Sequence, residues 1–364
     1  MNYCDKLRYD IHTVRPAYFL EMVDGLLSQL PGDRHLLRLV FFGASLDNDQ
    51  YMSQRNVLYD RVREFCGDLL PAVSYVGQPT PGEGLVLEAH SLYVDEYDYI
   101  KYCNYRDTPY VVLENREGRF LFSGGIQGDI LSSDIQEQSE TVFDFMGSLM
   151  EREGFPVDSI VRQWNYIEDI TGFDKGQQHY QMFNNVRADF YEGAIWSDGY
   201  PAATGIGSRN GGVLVDFDAV VFKRSGCYVT AIDNKLQIAA HAYSDRVLVF
   251  ASGQKSTPKF ERGKSLTFDS NSQIYISGTA AIRGEENVPA VNVEEQLHVT
   301  LENIKQLIGI ARLKMLRVYL KDERFYAKVK SLLDAYHPGI PISYMQADVC
   351  RDELLLEIEG LALE

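Results

Sequence analysis

Two carboxyl groups occupy alternate positions in a strand-like stretch near the end of the chain. In LLLEIEGLAL, Glu357 and Glu359 alternate with Leu356 and Ile358, so the two glutamates would share one face of a β-strand. A polar face exposed to solvent is the ordinary explanation of this pattern. The chemical alternative is an enclosed acid, because burial or a neighbouring like charge raises the pKa of a carboxyl group until it can donate a proton near neutral pH.

Three arginines and a thiol are the other candidate binding or reactive groups. Arg162, Arg187 and Arg262 could each bind a carboxylate through two parallel hydrogen bonds, although a surface ion pair is the usual role of an arginine. We favour Arg162 and Arg187 over Arg262 as carboxylate ligands. Cys350 precedes Glu357 by seven residues and is either a site residue or an inert buried thiol.

Polar side chains that could orient a small molecule occur in three segments. The helical segment HYQMFNNVRADFYE places Phe183 on or near the same face as three residues with polar ends: Tyr180, Asn184 and Tyr191. Phe183 fits a core position better than a binding position. Small residues that would let a ligand approach the backbone occur in PAATGIG, at Thr204 and Gly205, and in SGTA, at Ser277, Gly278 and Thr279.

The composition narrows the classes of partner. The 364 residues carry a net charge of -17, which repels nucleic acid and anionic lipid, so an anionic ligand needs a local cluster of cations. Apolar residues make up 45% of the chain, enough for a substantial core, but no apolar run is long enough to span a membrane. The polar N-terminus lacks the apolar stretch of a signal peptide, so we expect a cytoplasmic protein.

Motifs for metals, nucleotides and serine nucleophiles do not occur. The five cysteines are scattered without CxxC spacing, and the seven histidines lack the spacing of a zinc site, so we expect reduced thiols and no metal. The runs SGGIQG and TGIGSRNGG do not end in Gly-Lys-Ser/Thr, and GxSxG is absent. We therefore expect no cofactor.

An internal repeat organises most of the chain. Two stretches, about 119–222 and 273–363, read as β-α-β-α-β-β, and each first strand is expected to break at Ser-Gly. A further α/β segment precedes them. We predict an α/β (α+β) fold with an N-terminal domain over 1–222 and a C-terminal domain over 223–364, joined at 222–235, with a polar connector at 252–265. Aligning the repeats places Asp216 opposite Glu357.

The repeat resembles the YjgF/RidA-like, or chorismate-mutase-like, superfold, and two modules in one chain resemble the chorismatases. The C-terminal 55% or so of the chain carries the matching motifs, although 283–290, RGEENVPA, lacks the histidine of the family's loop. The motifs are RQWNY (162–166), YQMFNNVRADFY (180–191), YPAATGIG (200–207), KFERG (259–263), ISGTAAI (276–282) and CRDELLLEIEG (350–360).

The resemblance implies an enzyme that releases pyruvate from chorismate. Glu357 matches the family's general acid, and the pair Gly263 and Cys350 matches the branch that makes 3-hydroxybenzoate, not the one that makes a dihydroxycyclohexadiene carboxylate. The arginines would bind the two carboxylates of chorismate. The first module would be a structural partner whose PAATGIG edge completes the pocket, which suggests a monomer with an internal pseudo-oligomeric interface.

Two other functions remain open from the sequence. RidA-like imine deaminases have a Pro-Ala-Arg step, whereas the steps here are Pro201-Ala202-Ala203 and Pro341-Ile342-Ser343, without the arginine. A non-catalytic member of the superfamily that binds a small ligand is the second alternative.

Overall fold

The computed structural model describes residues 2–132, 134–244, 256–288 and 292–364. Three larger sheets, one four-stranded and two six-stranded, each carry helices on one face, which confirms the predicted mixed α/β class. In the described residues, no helix is long and apolar enough to cross a membrane.

The N-terminal unit is a four-stranded sheet with two helices, preceded by a short helix at Tyr3–Lys6. Its strand order is β1-β4-β2-β3, and only β2 and β3 are parallel. Its elements are β1 (Leu7–Val14), α1 (Phe19–Leu27), β2 (His35–Gly43), α2 (Asn48–Cys66), β3 (Ala72–Gly77) and β4 (Leu85–Leu92).

The central unit adds a hairpin to the same arrangement. Its sheet order is β9-β8-β10-β7-β6-β5, with a two-stranded pair, Phe173–Asp174 and Gln177–Gln178, beside it. Its elements are β5 (Tyr99–Tyr105), β6 (Thr108–Glu114), β7 (Gly118–Gln127), α3 (Ile135–Glu153), β8 (Ile160–Glu168), α4 (His179–Glu192), β9 (Ala202–Ser208) and β10 (Val213–Phe222).

The C-terminal unit has the sheet order β11-β12-β13-β16-β14-β15 and a second small pair, Ile282–Arg283 and Glu286–Asn287. Segment 222–235, expected as a joint, therefore contains an edge strand, and positions 252–255 of the expected connector and 289–290 of the altered loop lie outside the described residues. The elements are β11 (Cys227–Ile232), β12 (Gly263–Phe268), β13 (Asn271–Thr279), α5 (Val293–Ile308), β14 (Arg312–Leu320), α6 (Tyr326–Tyr336), β15 (Ile342–Gln346) and β16 (Leu356–Leu363).

The three units share one connectivity. In each, the last strand inserts antiparallel between the first two, and the third strand is parallel to the second, which requires a helical crossover. The two predicted copies of β-α-β-α-β-β are present, and the N-terminal segment, predicted only as an α/β layer, is a third copy. The domain boundary at 222/223 stays a prediction.

The first strand of each predicted repeat does not end at Ser-Gly as expected. β7 and β13 both continue through that step, and the pairing register with the last strand shifts there, between Val215 and Phe217 in one sheet and between Ile276 and Thr279 in the other. The Ser-Gly step is therefore a bulge within a strand, which redirects the backbone beside the neighbouring strand.

A small aromatic cluster joins the three units near the N-terminus. The ring of Tyr3 stacks on Phe120 of the central unit, with ring centroids 4.5 Å apart, and contacts Phe268 of the C-terminal unit at 4.8 Å. Tyr3 is 1% exposed. The packing of the units therefore depends on an aromatic side chain that lies outside the repeated elements.

Replacing Tyr3 with alanine should lower the free energy of unfolding by about 3–5 kcal/mol, because it leaves a cavity among the aromatic rings. Chemical denaturation followed by fluorescence measures the change. Tyr18→Ala is the matched control, since Tyr18 is 81% exposed, and it should change stability by about 0.5 kcal/mol or less. Similar losses in both variants would contradict this role of Tyr3.

Candidate active site

A cavity lies between the central and C-terminal units, where β9 approaches β13. Both units contribute to its wall, and the Ala203 amide donates to the Ser277 hydroxyl across the interface at 2.9 Å. The residues that line it are Gln178, Tyr180, Gln181, Asn184, Ala203, Thr204, Gly205, Tyr243, Pro258, Phe260, Arg262, Gly278, Ala280, Ile282, Cys350, Arg351, Leu354 and Glu357.

Glu357 is the buried acid of this cavity. The side chain projects from β16, and the residue is 6% exposed. Burial, and after it the nearby charge of Glu359, raise the pKa of Glu357 to about 8 against the opposing charges of Arg262 and Arg162. At neutral pH this carboxyl group therefore carries a proton that it can donate.

Gly278 makes room for that carboxyl group. A Cβ atom at position 278 would overlap the Glu357 carboxyl and would lie 3.1 Å from the Thr204 methyl carbon. The bulge at the Ser-Gly step thus brings bare backbone against the acid. A side chain at position 278 would displace Glu357 from the cavity.

The Cys350 thiol also faces the cavity. Burial raises its pKa to about 12, and the charge of Glu357 acts in the same direction. The group is therefore a neutral thiol near pH 7, neither a thiolate nucleophile nor a base. Its effect in the cavity is that of a small apolar group that occupies space.

Arg262 and Arg351 form the cationic side of the cavity, together with Tyr243. Arg262 donates to the Ile238 carbonyl at 3.0 Å and to the Tyr243 hydroxyl. The guanidinium carbons of Arg262 and Arg351 lie 5.4 and 5.3 Å from the centroid of the Tyr243 ring. Sequence reasoning missed Arg351 and Tyr243, although Arg351 directly follows Cys350 in a motif that was identified.

The preference for Arg162 and Arg187 as direct carboxylate ligands is not supported. Neither residue lines the cavity, and each guanidinium group contacts another side chain of the protein. Arg162 donates to the Thr204 hydroxyl at 2.7 Å and pairs with Glu359. Arg187 donates to the Asn184 amide oxygen at 2.6 Å. Both arginines lie behind the wall and hold two of its polar residues, Thr204 and Asn184.

The helix α4 contributes two of its four candidate residues to the cavity. Tyr180 and Asn184 line the wall. The Phe183 ring packs in the core against the Phe143 ring, with ring centroids 5.4 Å apart, as expected. Tyr191 does not reach the cavity, because its hydroxyl donates to the Gln163 amide oxygen at 2.5 Å.

The two small-residue segments together also contribute only some of their candidate residues to the cavity wall. Thr204, Gly205 and Gly278 line the cavity, and a Cβ atom at Gly205 would lie 2.7 Å from the Tyr180 ring. Ser277 and Thr279 do not line it. The Ser277 hydroxyl donates to the Glu261 carbonyl, and the Thr279 hydroxyl donates to the Ser277 carbonyl.

Gly263 also lies outside the lining. A Cβ atom there would point toward Ile232 and the Tyr275 carbonyl, at 3.4 and 3.3 Å, and not into the cavity. Of the fourteen residues proposed from the sequence, those outside the wall are Arg162, Arg187, Tyr191, Gly263, Ser277 and Thr279.

The other two units also have a carboxyl group at the position equivalent to Glu357. Other groups of the protein bind each of these carboxyl groups. Asp216, aligned with Glu357, accepts from the Ser74 hydroxyl at 2.6 Å and from the Gly125 amide at 2.8 Å. Glu88 pairs with Arg317. The three sheets thus present one acid each, and the acid of the C-terminal unit is the one that lines this cavity.

The family model described as chorismatase FkbO/Hyg5-like, N-terminal, matches residues 107–219. A 3-hydroxybenzoate synthase of Streptomyces hygroscopicus is 32% identical over 248 residues, which cover 62% of this chain and 69% of that protein. This chain belongs to the chorismatase family. A chorismatase of Streptomyces rapamycinicus is 30% identical over 60% of this chain and 67% of that protein.

The chorismatase fold extends over the whole chain. A crystal structure of a chorismatase, 21% identical, superimposes with a TM-score of 0.72 over 98% of this chain and 99% of that one. The N-terminal unit, which the sequence motifs did not cover, is therefore part of the family's architecture.

Wild-type protein should lose stability relative to Glu357→Gln as the pH rises from about 5 to about 8. The folded state keeps the Glu357 proton up to a pKa of about 8, whereas the unfolded chain releases it near pH 4.3. The difference in free energy of unfolding between the two proteins should therefore grow by up to about 1.4 kcal/mol per pH unit. Urea unfolding of both proteins across this range measures it. A difference that does not depend on pH would contradict a protonated Glu357.

Proposed function

We propose that this chorismatase cleaves the enolpyruvyl ether of chorismate and releases pyruvate and 3-hydroxybenzoate. The observation that carries the proposal is the protonated Glu357 in a cavity that also exposes two arginines, Arg262 and Arg351. Chorismate is a dicarboxylate whose enol ether requires a proton donor, so the cavity contains both the cations and the acid that such a substrate needs.

The wall provides matching contacts for the two ends of the substrate. Arg262 and Arg351 would bind carboxylates, because both side chains line the cavity beside Tyr243. Tyr180, Phe260 and Leu354 would enclose the ring, since their apolar surfaces line the cavity. Asn184, held by Arg187, would orient a ring substituent.

The proposed reaction uses one proton that returns to its donor. Glu357 protonates the methylene carbon of the enolpyruvyl group, which makes the ether oxygen the carbonyl oxygen of pyruvate as the bond from that oxygen to the ring breaks. This leaves the ring electron-deficient at the carbon that carried the ether oxygen. The hydroxyl oxygen of the neighbouring carbon bonds to this carbon as its former carbon–oxygen bond breaks. The carbon that received the oxygen then loses its hydrogen as a proton to the Glu357 carboxylate, and the ring becomes aromatic as 3-hydroxybenzoate. The two products together contain the atoms of the substrate, and water is not consumed.

The product branch depends on water being kept from the electron-deficient ring. Cys350, as a neutral thiol in the wall, would occupy the space that an attacking water needs. Gly263 would act through the backbone, because a side chain there would press on Ile232 and displace the adjoining Arg262. The 3-hydroxybenzoate synthase among the relatives supports this branch.

We further propose that the protein acts as a cytoplasmic monomer. The interfaces between its three similar units form within one chain, and the cavity is completed by β9 of the same chain. The five cysteines are free thiols, as expected in a reducing compartment.

Glu357→Gln should lower the rate of pyruvate release from chorismate by about 10²–10⁴-fold, because it removes the proton donor while keeping the shape of the side chain. Coupled detection of pyruvate measures the rate, and circular dichroism checks the fold. Asp216→Asn, at the equivalent position of the central unit, is the matched control and should keep most of the activity. A protein that binds chorismate but releases no pyruvate would instead favour a non-catalytic binding function.

Cys350→Ala should shift part of the product from 3-hydroxybenzoate to the dihydroxycyclohexadiene carboxylate, because the smaller side chain admits water beside the ring. Chromatography of the reaction mixture measures the product ratio. Cys227→Ala, a buried cysteine of the edge strand β11, is the control and should leave the ratio unchanged. An unchanged ratio in Cys350→Ala would remove the thiol from the branch decision.

A further inference from the structure

Glu359 shares the cavity-side face of β16 with Glu357 but does not line the cavity. It is 2% exposed and lies between two arginines. Arg162 of the central unit pairs with one carboxylate oxygen, and the Arg317 Nη1 atom lies 2.8 Å from the other. A carboxylate held by two guanidinium groups is a fixed negative charge beside the acid.

The same carboxylate anchors part of the cavity wall. The Thr204 hydroxyl donates to Glu359, and it accepts from the Gly278 amide at 3.0 Å and from Arg162 at 2.7 Å. Thr204 and Gly278 both line the cavity, and Gly278 lies against the Glu357 carboxyl and beside the Thr204 methyl group. Moving Glu359 would therefore release the backbone against which Glu357 packs.

The charges continue beyond the cavity into the third unit. Arg317 also pairs with Glu88 of the N-terminal unit, and the Ser343 hydroxyl donates to the same carboxylate at 2.5 Å. Arg162, Glu359, Arg317 and Glu88 thus alternate in sign across all three units. Because each is buried, none can change its charge or position without leaving a partner unpaired.

The charge of Glu359 acts on Glu357 against the opposing charges of Arg262 and Arg162. Two carboxyl groups close together in a buried site cannot both ionise readily. The charged and titratable groups that act on Glu357 or are acted on by it are Glu359 on β16, Arg162 on β8, Arg262 before β12, Cys350 before β16 and Tyr180 on α4.

We infer that Glu359 is a positioning residue for the proposed reaction: it anchors Thr204 and Gly278 beneath Glu357, and its fixed charge keeps the proton on Glu357. The inference rests on the proposed function for its kinetic consequence. Its structural consequence, a change in the ionisation of Glu357, does not depend on any substrate.

The test is the pH dependence of pyruvate release by Glu359→Gln. Without the neighbouring negative charge, Glu357 should ionise at lower pH, so the alkaline loss of activity should move down by about 1–2 pH units. The wild-type Glu357 titrates at about pH 8, so activity at pH 8 should fall roughly tenfold and activity at pH 6 by less than about twofold. An alkaline limb that does not move would overturn the inference.

Asp218→Asn is the matched control. Asp218 occupies the position in the central sheet that Glu359 occupies in the C-terminal sheet: the first pairs with Arg162 on the neighbouring strand, and the second with Arg317. Asp218 also forms a buried ion pair with Arg38 at 2.7 Å. This variant should lose stability to a similar extent but keep the wild-type pH profile. An equal shift in Asp218→Asn would mean that the profile follows general destabilisation, and the inference would fail.

Glu359→Asp provides a second variant if Glu359→Gln does not fold. The shorter side chain keeps the charge but withdraws it from Thr204, so kcat should fall while the alkaline limb stays within about 0.5 pH units of the wild type. An unchanged kcat would contradict the anchoring role.

Isotope-edited infrared titration of the glutamate carboxyl groups separates the two proposals. If wild-type protein releases no pyruvate, the proposed function fails, and the infrared pKa of Glu357 in Glu359→Gln still tests the inference. If wild-type protein is active and that pKa does not fall, the inference fails and the proposed function stands.

Discussion

Burying a carboxyl group between two packed sheets requires either a bound cation, hydrogen-bond donors or a proton, and this constraint determines where the active site of the chorismatase lies. The three units bury one acid each at the same position of the last strand. Glu88 has Arg317 as a cation, and Asp216 has a hydroxyl and a backbone amide as donors. Glu357 lines the cavity instead, and burial, followed by the nearby charge of Glu359, raises its pKa so that it keeps a proton near neutral pH.

The candidate site thus differs from the two similar interfaces in a few side chains and not in its fold. Ser74 binds Asp216, whereas the corresponding Thr204 of the next interface binds Glu359 and leaves Glu357 free. An uncompensated acid costs stability above the pKa of the unfolded chain.

The fold was predictable because it depends on local patterns, whereas the proposal of Glu357 as the acid came from the family resemblance and not from the pattern alone. Strand and helix periods, the internal repeat and the alternation around Glu357 are properties of neighbouring residues, and the chorismatase motifs identified Cys350, Thr204 and Gly278 beside it. Arg162 and Arg187, proposed as direct ligands, lie outside the cavity lining, and a sequence does not say whether a guanidinium group meets a ligand or another side chain. Arg162 contacts Glu359, which comes from the other module, and Arg187 contacts Asn184, which lies on the neighbouring turn of the same helix.

The sequence by itself determined the order of strands and helices, the repeated module and the residue types available for acid catalysis. Tertiary structure decided which arginines face the cavity, that the N-terminal segment is a third copy, and that Glu357 rather than Asp216 or Glu88 lines the cavity. The physical reason is that the pKa and the partners of a buried group depend on charges that lie far away along the chain, such as Arg162 and Glu359, 197 residues apart.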